Sequence, residues 1–188
     1  MVEVMLSSIM VSVIMLAVWG VYMMGWQWWG ETGPRLDMEK AARMALLTVI
    51  EGSIDQNAGT YTVGSTTYTR RNGIAWSTAY PTISSDKRTI TYRLAPDSGN
   101  TRQFYYGTYD GNGYIFYENS SGTVTRLDST KGVTDIQFSK FTDADGVTHD
   151  NIIQVVVTSE KDIYGTRKAN PYHVQVIYTD TVLLRNAL

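Results

Sequence analysis

The chain has 188 residues, a formal net charge of -2 and no cysteine, enough for one head domain of ordinary size beside a membrane-length segment. The cysteine count excludes a disulfide framework, a thiolate nucleophile and a Cys-based metal site, and the near-neutral charge provides no broad basic field for DNA or RNA. With only His149 and His173, and no Gly-x-Ser-x-Gly, His-Glu-x-x-His or phosphate-cradling glycine motif, the sequence points away from an enzyme.

Glu3 is followed by an uncharged apolar run from Val4 to Trp29. A transmembrane helix needs about 20 predominantly apolar residues, so this run predicts a membrane span. A cleaved secretory signal has a cationic start and an apolar core of about 7–15 residues, which an acidic start and a longer core do not match. Trp19, Tyr22, Trp26, Trp28 and Trp29 gather toward the C-terminal end, where amphipathic rings favour the headgroup level. Ser7, Ser8, Ser12, Ala17, Gly20 and Gly25 allow helices to approach closely. An ionisable group in such a helix costs at least ~2.5 kcal/mol at its centre, so it marks function and implies a counter-charge. The next charge along the chain is Glu31, so any cation that meets Glu3 comes from the amino terminus or from another molecule.

These residues resemble the start of a type IV pilin or pseudopilin, in which a glycine cleavage site precedes Phe-Thr-Leu-[Ile/Val]-Glu and a long apolar helix. The alignment places Glu3 on the family's glutamate. The resemblance implies a basic leader removed by a prepilin peptidase, an N-methylated first residue, and residence in the bacterial inner membrane. It further implies assembly by a platform into a periplasmic or extracellular filament, with copies of the same chain or other pilin-like subunits as partners. Glu3 would there meet the terminal amine of a neighbouring subunit.

Gly30-Glu31-Thr32-Gly33-Pro34 predicts a kink or short break, because Pro removes a donor and disfavours helix at the residue before it. Pro34 equally suits the first position of a new helix. From Leu36 to Ile54 the pattern is amphipathic, with Leu36, Ala42, Ala45, Leu46, Val49, Ile50 and Ile54 on one face and Asp37, Glu39, Lys40, Arg43 and Glu51 solvated. The expected organisation is a hydrophobic transmembrane or filament-core helix over residues 1–29, its amphipathic continuation after the break over 30–57, and a β-rich head over 58–188. The fold class is α+β: a long N-terminal helix packed on a mainly antiparallel sheet, the pilin lollipop plan.

Beyond Gly59 the composition turns to Thr, Tyr, Val and Ile punctuated by turn residues, which predicts strands. They are Thr60 to Val63, Thr66 to Arg70, Gly73 to Ser77, Arg88 to Leu94, Arg102 to Thr108, Gly113 to Glu118, Val124 to Leu127, Asp135 to Thr142, Ile152 to Glu160 and Tyr172 to Leu184. Arg71-Asn72-Gly73, Asp110-Gly111-Asn112-Gly113, Ser120-Ser121-Gly122 and Asp145-Gly146 signal turns, of which the Asx-Gly pairs suit tight hairpins. Gly132 to Phe138, Gln154 to Val157 and Val182 to Asn186 resemble the heads of minor pilins of the J or W type, which implies a place near a filament tip.

Asp143, Asp145 and Asp150 could offer oxygen ligands to calcium, although the pattern lacks the terminal Glu of the helix-loop-helix motif and a solvated hairpin turn accounts for Asp-Gly more simply. No other cofactor is expected. Tyr105, Tyr106, Tyr109, Tyr114, Phe116 and Tyr117 flank one predicted hairpin, where cross-strand aromatic pairs stabilise a sheet. Exposed together, they would form a surface for sugars, another subunit or single-stranded DNA, with Arg70, Arg71 and Arg102 as phosphate contacts. His149 and His173 read as surface residues. The competing functional reading is a single-pass, membrane-anchored binding module that never polymerises.

Overall fold

The computed structural model describes residues 2–52, 60–63, 65–69, 71–94, 101–163 and 172–184. One helix, α1, runs Val2–Ile50 for 49 residues. No break occurs at Gly30 to Pro34, where the sequence predicts one. Pro34 deletes a single donor from a ladder long enough to propagate on either side of it, and the Thr32 hydroxyl donates to the Trp28 carbonyl at 2.6 Å within the same turn. The chain divides into two compact units, Met1–Asp37 with Lys161–Val174, and Met38–Glu160 with Gln175–Leu188.

In the second unit, the C-terminal part of α1 packs on antiparallel sheets. Met38, Ala42, Ala45, Leu46, Val49 and Ile50 are buried, at the three- and four-residue spacing of a single helical face. Leu36, expected on that face, is 57% exposed, whereas Met38 is buried in its stead. The helix also stops short of the expected Ile54, which lies outside the described residues. It ends at Ile50 because Gly52 turns into the left-handed region at φ 77°, the common way to stop a helix.

The strands are β1 (Thr60–Val63), β2 (Thr66–Thr69), β3 (Thr82–Ile83), β4 (Thr89–Arg93), β5 (Thr101–Tyr109), β6 (Asn112–Glu118), β7 (Val124–Arg126), β8 (Asp135–Thr142), β9 (Thr148–Ile163) and β10 (Tyr172–Leu183). They form a β1-β2 hairpin, a five-stranded sheet in the order β3-β4-β5-β6-β7, and a three-stranded sheet in the order β10-β9-β8. Each strand pairs with its neighbour in sequence, as short antiparallel connections favour. Gly73 to Ser77, expected as a strand, is instead a 3-10 turn at Ile74–Trp76, with Ile74 and Ala75 both buried. Two consecutive inward residues are incompatible with the two-residue period of a half-buried strand.

The core joins the helix residues to inward positions of both larger sheets: Ile90, Tyr92, Phe104, Ile115 and Tyr117 from one, and Ile136, Phe138, Ile153, Val155 and Val157 from the other. Tyr92 stacks on Phe104 with ring centroids 5.7 Å apart, and Phe104 meets Tyr117 at 5.2 Å. The sheets are tied where the Phe138 N–H donates to the Lys87 carbonyl at 2.8 Å and Arg88 meets Asp135 at 2.8 Å.

Candidate functional site

The candidate site is the N-terminal part of α1. Glu3 lies in the first helical turn, where a carboxylate complements the positive end of the helix dipole. From there to Trp26 the axis advances roughly 35 Å at about 1.5 Å per residue, close to the ~30 Å hydrocarbon thickness plus a margin at each end. In a bilayer, a helix of that length with its Trp residues at one headgroup level would bring the Glu3 carboxylate to the opposite one.

The surface between these markers suits an apolar surrounding. Ser7 donates to the Val4 carbonyl at 3.1 Å, Ser8 to Met5 at 2.9 Å and Ser12 to Ser8 at 2.8 Å, so each hydroxyl is satisfied by the helix's own backbone. The helix is long and apolar enough to cross a membrane, and none of its most apolar stretch is buried within the protein's own fold. These are the dimensions of a membrane-inserted helix or a signal sequence, and they differ from those of a soluble core helix, which is mostly buried. Trp19, Tyr22 and Trp26 form an aromatic row with successive centroids 6.3 and 6.2 Å apart. Gly25 and Gly30 open a shallow groove beside Tyr22, Trp26 and Trp29.

The acidic loop is built as a turn. Asp143 Oδ1 accepts the N–H groups of Asp145 at 3.0 Å and Val147 at 2.8 Å, while Gly146 takes φ 81°. Asp143 Oδ2 lies 3.0 Å from His149 Nε2, and Asp150 pairs with Lys140 across the hairpin. Asp143, Asp145 and Asp150 therefore do not form a joint ligand set: among the described residues, no group of three or more His, Asp or Glu side chains is placed to hold a metal ion. The His149 ring, with help from the Val147 and Asp145 amides, holds the Asp143 carboxyl below the usual carboxylate range. Its folded-state pKa being depressed, the stabilisation it supplies is present above the ordinary carboxylate pKa of about 3.9 and is lost as pH falls through the lower folded value. A carbon-13 NMR titration should find the Asp143 carboxyl titrating below the ordinary carboxylate value of about 3.9, and His149→Ala should move it upward; a titration unmoved by that substitution would refute the pairing.

His173 is exposed and His149 half-buried, and each has an acidic partner that the sequence reading missed, His149 with Asp143 and His173 with Asp162 at 3.0 Å. The signal for them lay in strand register, which no local pattern supplies. The aromatic set divides by strand face. Tyr117 is buried in the core, while Tyr105 stacks on Phe116 on the opposite face at 5.5 Å, and Arg126 lies 4.3 Å from the Tyr109 centroid and 4.9 Å from that of Tyr114. Arg102, expected as a phosphate contact, is 1% exposed and cannot serve as one from the surface. Arg71 lies 3.7 Å from Glu51, and Arg70 falls outside the described residues.

No protein-family model, no curated protein and no solved structure matches this chain.

Proposed function

We propose that this protein is a structural subunit of a type IV pilus-like or type II secretion pseudopilus filament, held in the inner membrane by α1 and then packed through it against neighbouring copies or related subunits. One observation carries the reading. A single unbroken helix supplies, at its C-terminal end, the residues that close the head's core, and over its N-terminal part an apolar surface that the protein's own fold leaves uncovered. A helix apolar all round must be covered by lipid or by other protein, and the same surface serves both environments in turn. Glu3 adds direction: the carboxylate lies at a headgroup level in the membrane and enters an apolar surrounding only when other helices enclose it. A neighbouring amino terminus then supplies the counter-charge and sets the register between subunits.

The test is coexpression of the full chain with a prepilin peptidase and an assembly platform, followed by negative-stain microscopy with a label on the head. Labelled fibres are expected. A chain that remains in the membrane fraction and stays monodisperse once detergent is removed would overturn the reading in favour of an anchored binding module.

A further inference from the structure

Among the described residues, strand β10 is an edge of its sheet, and it differs from the other edges of the two larger sheets. Natural sheets protect edges by shortness, charge, proline or cover. Here β3 is two residues long and follows Pro81, β7 is three residues long and ends in Arg126, and β8 donates an edge N–H to Lys87. Strand β10 has 12 residues, no proline or glycine, and Asp180 as its single Asp, Glu, Lys or Arg.

The register of β10 on β9 identifies which backbone groups face outward. The Leu184 N–H donates to the Asn151 carbonyl at 2.9 Å, and Gln175 bonds Glu160 across the same pair of strands with the same offset. Antiparallel alternation then directs the N–H and C=O groups of Gln175, Ile177 and Thr179 away from β9. Thr181, next in that series, has its N–H capped by the Asp180 carboxylate at 2.8 Å. Among the described residues, the open stretch is therefore Gln175 to Thr179, with Ile177 at its centre and 56% exposed.

We infer that this edge pairs with the same edge of a second copy, in an antiparallel arrangement about Ile177. The segment Gln175-Val176-Ile177-Tyr178-Thr179 is chemically symmetric about its middle. Self-pairing sets Ile177 against Ile177, Gln175 against Thr179, and Val176 against Tyr178, an aromatic to β-branched pair of the kind that stabilises sheets. No charged side chain lies within it, so two identical edges meet without repulsion, and a two-fold pairing uses the same surface on both copies.

The absence of cysteine makes the test clean, because Ile177→Cys introduces the chain's only thiol. Directly opposed residues in such a pair have Cα atoms about 5.5 Å apart, within disulfide reach. Mild oxidation of the full chain in detergent should convert Ile177→Cys to a covalent dimer at least about tenfold faster than Ser121→Cys, an exposed thiol on the β6 to β7 turn. Adding Thr179→Pro, which removes an outward donor and leaves the β9 to β10 ladder whole, should abolish that advantage with near-ultraviolet circular dichroism unchanged. Thr179→Lys should do the same by charge if the proline variant fails to fold. Equal rates at the two thiols, or a rate indifferent to both Thr179 substitutions, would overturn the inference. Adding Glu3→Ala should leave the crosslink intact, which separates this edge from the filament reading.

Discussion

Glu3→Ala and Glu3→Gln are expected to leave the protein inserted in the membrane with a folded head, yet to lower its incorporation into fibres by about two orders of magnitude or more. The head is untouched because Glu3 contributes nothing to the core that holds α1 to the sheets. Insertion is untouched because the apolar run begins after it. In the proposed filament, removing the carboxylate would strand the partner amine in an apolar surrounding, and an uncompensated buried charge costs roughly 3–5 kcal/mol. Incorporation is scored as the ratio of labelled fibre to membrane-bound protein; normal incorporation of both variants would remove Glu3 from the role assigned to it.

The existence and apolar character of the long helix were legible from the residues because a continuous apolar run of that length leaves a compositional mark that needs no knowledge of the fold. Strand β8 is read at its observed limits, and the Asp110-Gly111 turn is a true two-residue hairpin, with φ 49° and 71° at the two positions joining Tyr109 to Asn112. Tertiary contact hides the rest. Arg102 looks like a surface cation because charged side chains are almost never fully buried, yet it stands opposite Tyr92 in the β4 to β5 register and is enclosed with it. Strand β3 is too short to leave a period, and β9 extends to Thr148 because the hairpin with β8 continues past a register shift between Lys140 and Phe141. The open edge of β10 is likewise invisible locally, since which amides face outward depends on where Leu184 meets Asn151. The helix limits follow the same logic: the sequence overestimates Pro34 as a breaker and misses that Gly52 is the stop, because what fixes Gly52 is a loop some twenty residues on.

Gly52→Ala is accordingly expected to be the most damaging small substitution in the head. Two independent costs meet there. At φ 77° any Cβ carries a left-handed penalty of about 1–2 kcal/mol. A Cβ would also fall onto the Gly73 amide nitrogen and lie 2.5 Å from Asn72 Oδ1, against a backbone that the buried Asn72 and its carbonyl's hydrogen bond from Tyr92 hold in place. Overpacking of this kind adds about 1–3 kcal/mol. At about 2–4 °C per kcal/mol for a chain of this size, the melting temperature should fall by roughly 5–15 °C. Two other glycines resolve the costs. Gly111 has φ 71° with nothing within 4 Å of a Cβ, so Gly111→Ala should show the backbone penalty alone. Gly73 has an ordinary φ of -76°, but its Cβ would fall onto the Ile50 carbonyl, so Gly73→Ala should show the crowding alone. Thermal melts of the full chain in detergent, followed by near-ultraviolet circular dichroism, should rank Gly52→Ala as the worst of the three. A Gly52 loss no greater than that of Gly111 would mean that the helix end and the loop beneath it are not in the contact that stops the helix.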